Sequence, residues 1–235
     1  FFYICKPFFV MKKFVIAFMF FTVSLTSFSQ INELGVFAGG SNYIGDIGRT
    51  NYIYPNSYAV GLIYKWNMHP HYSLRANYTY SPVKGDDAES DNSFRKVRGL
   101  SFSNDVHELS AGIEYHFFKY NLSKTGHTNT PYLFAELGVV NYGSFDSDTL
   151  ESNRTFNFTM PFGAGFKTIL AQGVGIGFEV GFRYTFKDDI DGYPFLEYDP
   201  GSNVQINPNN NDWYVFTGVT LVFAFGREGC YTGSF

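Results

Sequence analysis

Val174-Gly175-Ile176-Gly177-Phe178-Glu179-Val180-Gly181-Phe182-Arg183-Tyr184-Thr185-Phe186 alternates without a break between large apolar residues and small or charged ones. A β-strand points successive side chains to opposite faces. One face is therefore apolar, and the other carries glycines, Glu179 and Arg183. A water-soluble core would turn the apolar face inward, and charge facing water needs no row of glycines to make room. Aromatic residues facing lipid around a narrow polar interior account for both faces at once.

The same alternation recurs near 33–40, 57–67, 71–81, 106–118, 130–141, 156–170 and 213–225, which with 173–186 makes eight segments. Most reach the roughly 9–11 residues that cross a bilayer at a tilt. The pattern predicts an all-β chain folded as an eight-stranded antiparallel up-and-down transmembrane β-barrel. Its lipid face is expected to carry Tyr58, Val60, Leu62, Tyr64 and Trp66, then Leu109, Ala111, Ile113, Tyr115 and Phe117. On the last segment the lipid face reads Trp213, Val215, Thr217, Val219, Leu221, Phe223 and Phe225. Connections are short at 68–70 and 171–172, intermediate at 119–129, and long at 41–56, 82–105, 142–155 and 187–212. Long loops outside and short turns in the periplasm follow that rhythm. An even strand count then places both termini on the periplasmic side of an outer membrane.

The inward face collects Glu33, Glu108, Glu114, Glu136 and Glu179 against Lys65, Arg75, Lys167 and Arg183. An eight-stranded barrel is only wide enough for side chains to fill it. Charges so confined are costly unless paired and hydrogen-bonded. The expectation is a lumenal ion-pair network that plugs the barrel rather than lining a pore.

Composition agrees with a barrel: 46 of 235 residues are Tyr or Phe and 24 are Gly. A mean hydropathy of −0.12 does not argue against insertion, because alternation averages out. Met11-Lys12-Lys13, the apolar run Phe14–Phe21 and Ser27-Phe28-Ser29 have the charged, apolar and small-residue regions of a secretory signal. Residues 1–10 are read as an upstream artefact, 11–29 as the signal peptide, 30–225 as the barrel and 226–235 as a periplasmic tail. Cleavage before Gln30 removes Lys6, Lys12 and Lys13 from the 17 basic residues, leaving 14 against 21 acidic and a net charge of −7. No basic stripe remains to hold nucleic acid. Cys230 becomes the one cysteine, and an odd cysteine in an exported chain points to an intermolecular disulfide or a free thiol. With Arg227 and Gly229 beside it, the tail is the expected partner-binding segment.

Motifs that carry chemistry are weak. Gly175-Ile176-Gly177 with Gly181 misplaces the third glycine of a dinucleotide fingerprint, and Gly163-Ala164-Gly165-Phe166-Lys167-Thr168 misses phosphate-loop spacing. His69-Pro70-His71 reads as a tight turn rather than a metal site. Asp86-Asp87-Ala88-Glu89-Ser90-Asp91 and Asp188-Asp189-Ile190-Asp191 lack the calcium-loop pattern and read as solvated acidic loops. His107 beside Asp105 has no serine elbow to serve. No enzyme, cofactor or metal is expected.

Several motifs resemble one family. They include Glu33-Leu34-Gly35, Gly39-Gly40-Ser41-Asn42-Tyr43-Ile44-Gly45-Asp46, Arg98-Gly99-Leu100-Ser101-Phe102, Pro131-Tyr132-Leu133-Phe134 and Pro161-Phe162-Gly163-Ala164-Gly165-Phe166-Lys167. With Gly177 to Phe186 they are similar to the PorG-like outer-membrane barrels of the type IX secretion system, over about residues 31–230. The stretch after Phe186 departs from that family by being shortened to Lys187-Asp188-Asp189-Ile190-Asp191. The resemblance implies a non-enzymatic membrane peg that anchors a periplasmic ring lipoprotein and its partner, serving protein transport and gliding motility. A surface adhesin or cell-protection barrel acting through long loops, or a small porin, is the competing reading. A soluble lipocalin-like carrier fits less well, since water would then meet the glycine-rich face.

Overall fold

The computed structural model describes residues 31–122, 129–145, 152–187, 190–191 and 211–226. Eight strands run in order: β1 Ile31–Ile44, β2 Ser57–His69, β3 Tyr72–Asp86, β4 Ser101–His116, β5 Asn129–Phe145, β6 Ser152–Ala171, β7 Val174–Thr185 and β8 Trp213–Phe225. Each is antiparallel to the next, and β8 pairs back onto β1 from Asn32–Phe225 to Ile44–Trp213. The sheet therefore closes into an eight-stranded barrel with no free edge.

Its polarity is inverted relative to a soluble domain. Leu137 is 71% exposed and Phe158 72%, whereas Glu114 on the inner face is 0% exposed. The other inward acids and bases, from Glu33 to Arg183, are buried with it.

Strands outrun the hydropathy pattern at the long-loop end. Residues 82–86 and 101–105, expected in a loop, continue the β3–β4 ladder from Pro82–Asp105 to Asp86–Ser101. Residues 142–145 and 152–155 likewise pair as β5 and β6. These extensions carry Lys84, Asp86, Ser103 and Arg154, so the apolar alternation fades where the chain leaves the membrane. Backbone pairing does not need apolar side chains, and the ladder persists. Beyond it lie a 3-10 turn, Asp87–Glu89, and a short helix α1, Ser93–Arg98. Asn92 caps α1 by accepting from Phe94 N (2.9 Å), and Gly99 ends it in the left-handed region at φ 67°.

The lumen is also more aromatic than the sequence reading held. Tyr43, Tyr132, Phe134, Tyr142, Tyr214 and Phe216 are all buried inside. The inward glycines explain how they fit. The Phe134 ring lies across Gly163 and Gly181, where a Cβ on either would come within 2.8 Å of its Cζ. Tyr132 rests on Gly165 in the same way. Glycines on β6 and β7 thus make room for rings projecting from β5.

Both ends of the described barrel lie at the short-turn mouth, which is closed by an apolar cluster of Tyr120, Leu122, Ile169 and Val222. Tyr120 N donates to Pro70 O (3.2 Å) and Gly173 N to Leu122 O (2.9 Å), which fold the 117–122 segment under the opening.

Candidate functional site

Strand parity brings the lumenal charges into one belt. Glu114 stands at its centre, 2.8 Å from Lys65 Nζ, 2.6 Å from Lys167 Nζ and 3.2 Å from Arg75 Nη1. Arg75 spans three carboxylates. It lies 3.2 Å from Glu179 as well as Glu114, and its Nε is 2.6 Å from Glu136, an ion contact whose angle falls outside hydrogen-bond geometry. The guanidinium also sits 4.2 Å above the Phe134 ring, a cation–π contact in a desolvated place. Arg183 pairs more loosely with Glu108 (3.4 Å) and stacks on Phe216 at 4.2 Å. Glu33 bonds instead to Asn67 Nδ2 (2.7 Å), and its second oxygen has no hydrogen-bond partner among the described residues.

Neutral donors beyond the expected ion-pair set complete the belt. Tyr132 donates to Glu179 (2.9 Å), Tyr214 to Glu108 (2.5 Å), Asn77 to Glu136 (2.7 Å), and Ser110 also to Glu136. His116 Nε2 lies 2.9 Å from Glu114 Oε1 and 2.8 Å from Lys167 Nζ, while Nδ1 faces Pro70 O at 3.1 Å. The signal for all of them was parity. His116 stands two residues after Glu114, and Tyr132 four before Glu136, so each had to point inward. Removing one partner from such a buried pair costs about 3–5 kcal/mol, because the other charge is stranded. The belt therefore holds the lumen shut as well as filled.

A second assembly caps the long-loop mouth. Asp87, expected in a solvated acidic loop, is fully buried. It accepts from Arg98 Nε (2.7 Å) and Nη2 (3.0 Å), and from the backbone N–H of Gly48 (2.9 Å) and Leu100 (3.1 Å). Burial alone would raise its pKa, but the paired Arg98 guanidinium and the two N–H donors outweigh it. They hold the carboxyl below the usual carboxylate range. Arg98 also donates to Asp46 O (2.7 Å), and Arg95 to Gly45 O (3.0 Å) and Gly48 O (2.8 Å). Tyr43 donates to Asp212, which also accepts from Ile190 N (2.9 Å), and its ring meets Phe102 edge-on at 4.8 Å. The two stretches 39–46 and 98–102, remote in sequence, are thus one structural unit.

Asn42 belongs to that unit but points outward. It donates to Asn51 O (3.3 Å) and Tyr52 O (3.2 Å) and accepts from Tyr54 N (3.3 Å). Pro55 packs against Gly40, where a Cβ would come within 2.5 Å of its ring. Segment 51–55 is thereby strapped down the outside of the barrel. Val215, paired with Asn42 across β1 and β8, was expected to face lipid. It is 0% exposed, because an outward position beside the strap is covered by it.

The remaining candidates are dispersed. His69-Pro70-His71 makes the β2–β3 turn, with His71 Nδ1 2.9 Å from His116 O. His107 bonds to Tyr78 (2.9 Å) and Asp105 to Tyr80 (3.2 Å), two different rings on the outer wall. Among the described residues no three His, Cys, Asp or Glu gather as metal ligands. Asp191 is buried. The signal segment, Asp188, Asp189, Arg227, Gly229 and Cys230 lie outside the described residues.

An aromatic wall around a charged, filled interior defines the class: a transmembrane β-barrel. Within that class, the chain belongs to the family described as a domain of unknown function (DUF6089), whose profile matches residues 12–234. No curated protein matches the sequence. Among solved structures, the chain is similar to Neisserial surface protein A, at 10% identity and a TM-score of 0.44, covering 83% of this chain and 95% of that one. The N-terminal barrel domain of Pseudomonas aeruginosa OprF matches at 15% identity and 0.42, covering 84% and 98%. A major outer membrane protein from Thermus thermophilus matches at 11% and 0.43, covering 83% and 99%.

Proposed function

We propose that this chain is a structural outer-membrane barrel that anchors periplasmic partner proteins, in the manner of the PorG-like pegs of the type IX secretion machinery. The observation that carries the reading is the lumen. Its charges, Glu33 excepted, engage one another, and an apolar cluster at one mouth and the Asp87–Arg98 cap at the other close its ends, which supports the role of a fixed post. The motifs behind the family resemblance also support it, since 39–46 and 98–102 build that cap together. In this reading the turn end faces the periplasm and the long loops face outward. β8 ends at the turn end, and the reading assigns Cys230, with Arg227 and Gly229, as the contact for a periplasmic ring lipoprotein.

Two measurements test this. In planar bilayers the folded protein should pass no steady ion current; sustained conductance would favour a small porin. Purified from outer membranes without reductant, it should carry a reducible adduct with a periplasmic protein that Cys230→Ser abolishes. A complex indifferent to the thiol would remove the disulfide, and the absence of any periplasmic partner would remove the peg.

A further inference from the structure

Between the strap and the barrel wall runs a groove of about 630 Å3, lined by Ile44, Tyr52, Phe162, Phe182, Trp213 and Arg95. That size lies within the roughly 300–1,000 Å3 typical of small-molecule sites. Its floor is outward-facing barrel surface. Phe162 and Phe182 stack at 6.1 Å across β6 and β7, and Trp213 meets Phe162 edge-on at 6.0 Å. A groove of about 670 Å3 elsewhere on the wall, and one of about 740 Å3 that continues from this one through Phe162 and Phe182, have no charged residue in their lining. This one has a cation. Arg95 is fixed there because α1 delivers it onto Gly45 O and Gly48 O. Two of its five N–H groups are used in those bonds, and a guanidinium offers the rest in a planar fork suited to phosphate.

We infer that this groove seats one phosphate-bearing membrane lipid, its acyl chain on Phe162, Phe182 and Trp213 and its phosphate on Arg95. Two facts select a lipid over other occupants. The apolar floor is continuous with the wall that faces the bilayer, so an acyl chain enters without crossing water. The single charge stands where the loops overhang the wall, which is where a headgroup lies. The inference rests on the membrane reading of that wall.

The chain has two tryptophans, Trp213 in the groove and Trp66 on the outward face of β2 near the turn end. In a Trp66→Phe background, Trp213 fluorescence is followed in phosphatidylcholine vesicles carrying brominated phosphatidylglycerol or brominated phosphatidylcholine at equal mole fraction. One basic side chain at a membrane surface corresponds to about fivefold enrichment of an anionic lipid, so the brominated phosphatidylglycerol should quench Trp213 selectively to that degree. Arg95→Gln should equalise the two lipids, and Arg95→Lys should retain most of the preference. Trp66, read in a Trp213→Phe background, should show no preference, which needs no change at Arg95. Equal quenching at Trp213, equal preference at both tryptophans, or a preference that survives Arg95→Gln would overturn the seat. Loss of preference on adding inorganic phosphate would make it a site for free anions and overturn it too. Quenching by neither lipid would instead sink the membrane reading of the wall.

Discussion

Both mouths of the barrel are filled by apolar side chains, but the loop end adds a layer of directional polar bonds. At the turn end an apolar skin of Tyr120, Leu122, Ile169 and Val222 lies over the charge belt, with Lys167 Nζ 4.2 Å from the Tyr120 ring. At the loop end a larger apolar cluster, with Tyr43, Val83, Val106, Val140, Tyr142 and Ile190, fills the barrel, and directional bonds converging on Asp87 and Asp212 from segments far apart in sequence are added to it. The first mouth depends on shape and on the belt beneath it. The second adds to its apolar filling a clamp that depends on the charge of Asp87. Substitutions should therefore fail differently at the two ends.

The largest effect is expected beneath the turn mouth. Glu114→Ala leaves Lys65, Arg75 and Lys167 without their shared carboxylate, and should cost about 5 kcal/mol, the upper end for a broken buried pair. Urea unfolding of the barrel in lipid vesicles would read this, and a loss under about 1 kcal/mol would mean that the belt is not holding the lumen together. At the other mouth, Asp87→Ala should cost about 3 kcal/mol by stranding Arg98.

Acid sharpens the contrast. Because the folded pKa of Asp87 is lowered, its contribution is fully present above the unfolded value of about 3.9 and is lost as pH falls through the folded pKa. Protease sensitivity of the 45–56 and 87–100 segments should therefore rise only below about pH 4, while the turn end stays protected. Asn42→Ala should be milder, about 1–3 kcal/mol for the three bonds holding the strap, with cleavage confined to 50–56. Smallest of all is Tyr120→Phe. The buried hydroxyl has no hydrogen-bond partner among the described residues, so its removal should leave stability within about 1 kcal/mol of the parent, on the stabilising side. A clear destabilisation would show that the turn mouth too is held by a specific polar bond.

That contrast also marks what could be read from the chain alone. Period-two alternation fixed the strand number, the closure and the inward placement of residues such as Glu114 and Lys65, because burial of one face admits only one register. His116, Tyr132 and Tyr214 are equally legible by parity, but nothing in their residue type marks them as partners of lumenal carboxylates. The lumen needed the glycines opposite to accept them, and that is a cross-strand fact. The loop-end cap was not legible. Arg98 meets Asp87 and the Asp46 carbonyl, and Asp212 meets Tyr43, only once the ladders extend past the apolar alternation, and an acidic run looks the same in sequence whether solvated or clamped. Val215 was misplaced because a strand pattern cannot announce that a loop from elsewhere will lie across it.

The strap has a consequence for how the protein sits among its neighbours. A plain cylinder presents the same profile at every azimuth and can spin freely about the bilayer normal. With residues 51–55 fastened over β1 and β8, that sector is thicker than the bare wall among the described residues and displaces the surrounding leaflet there. The molecule acquires a front and a back, so anything assembled around it in the membrane plane can be set at a defined angle.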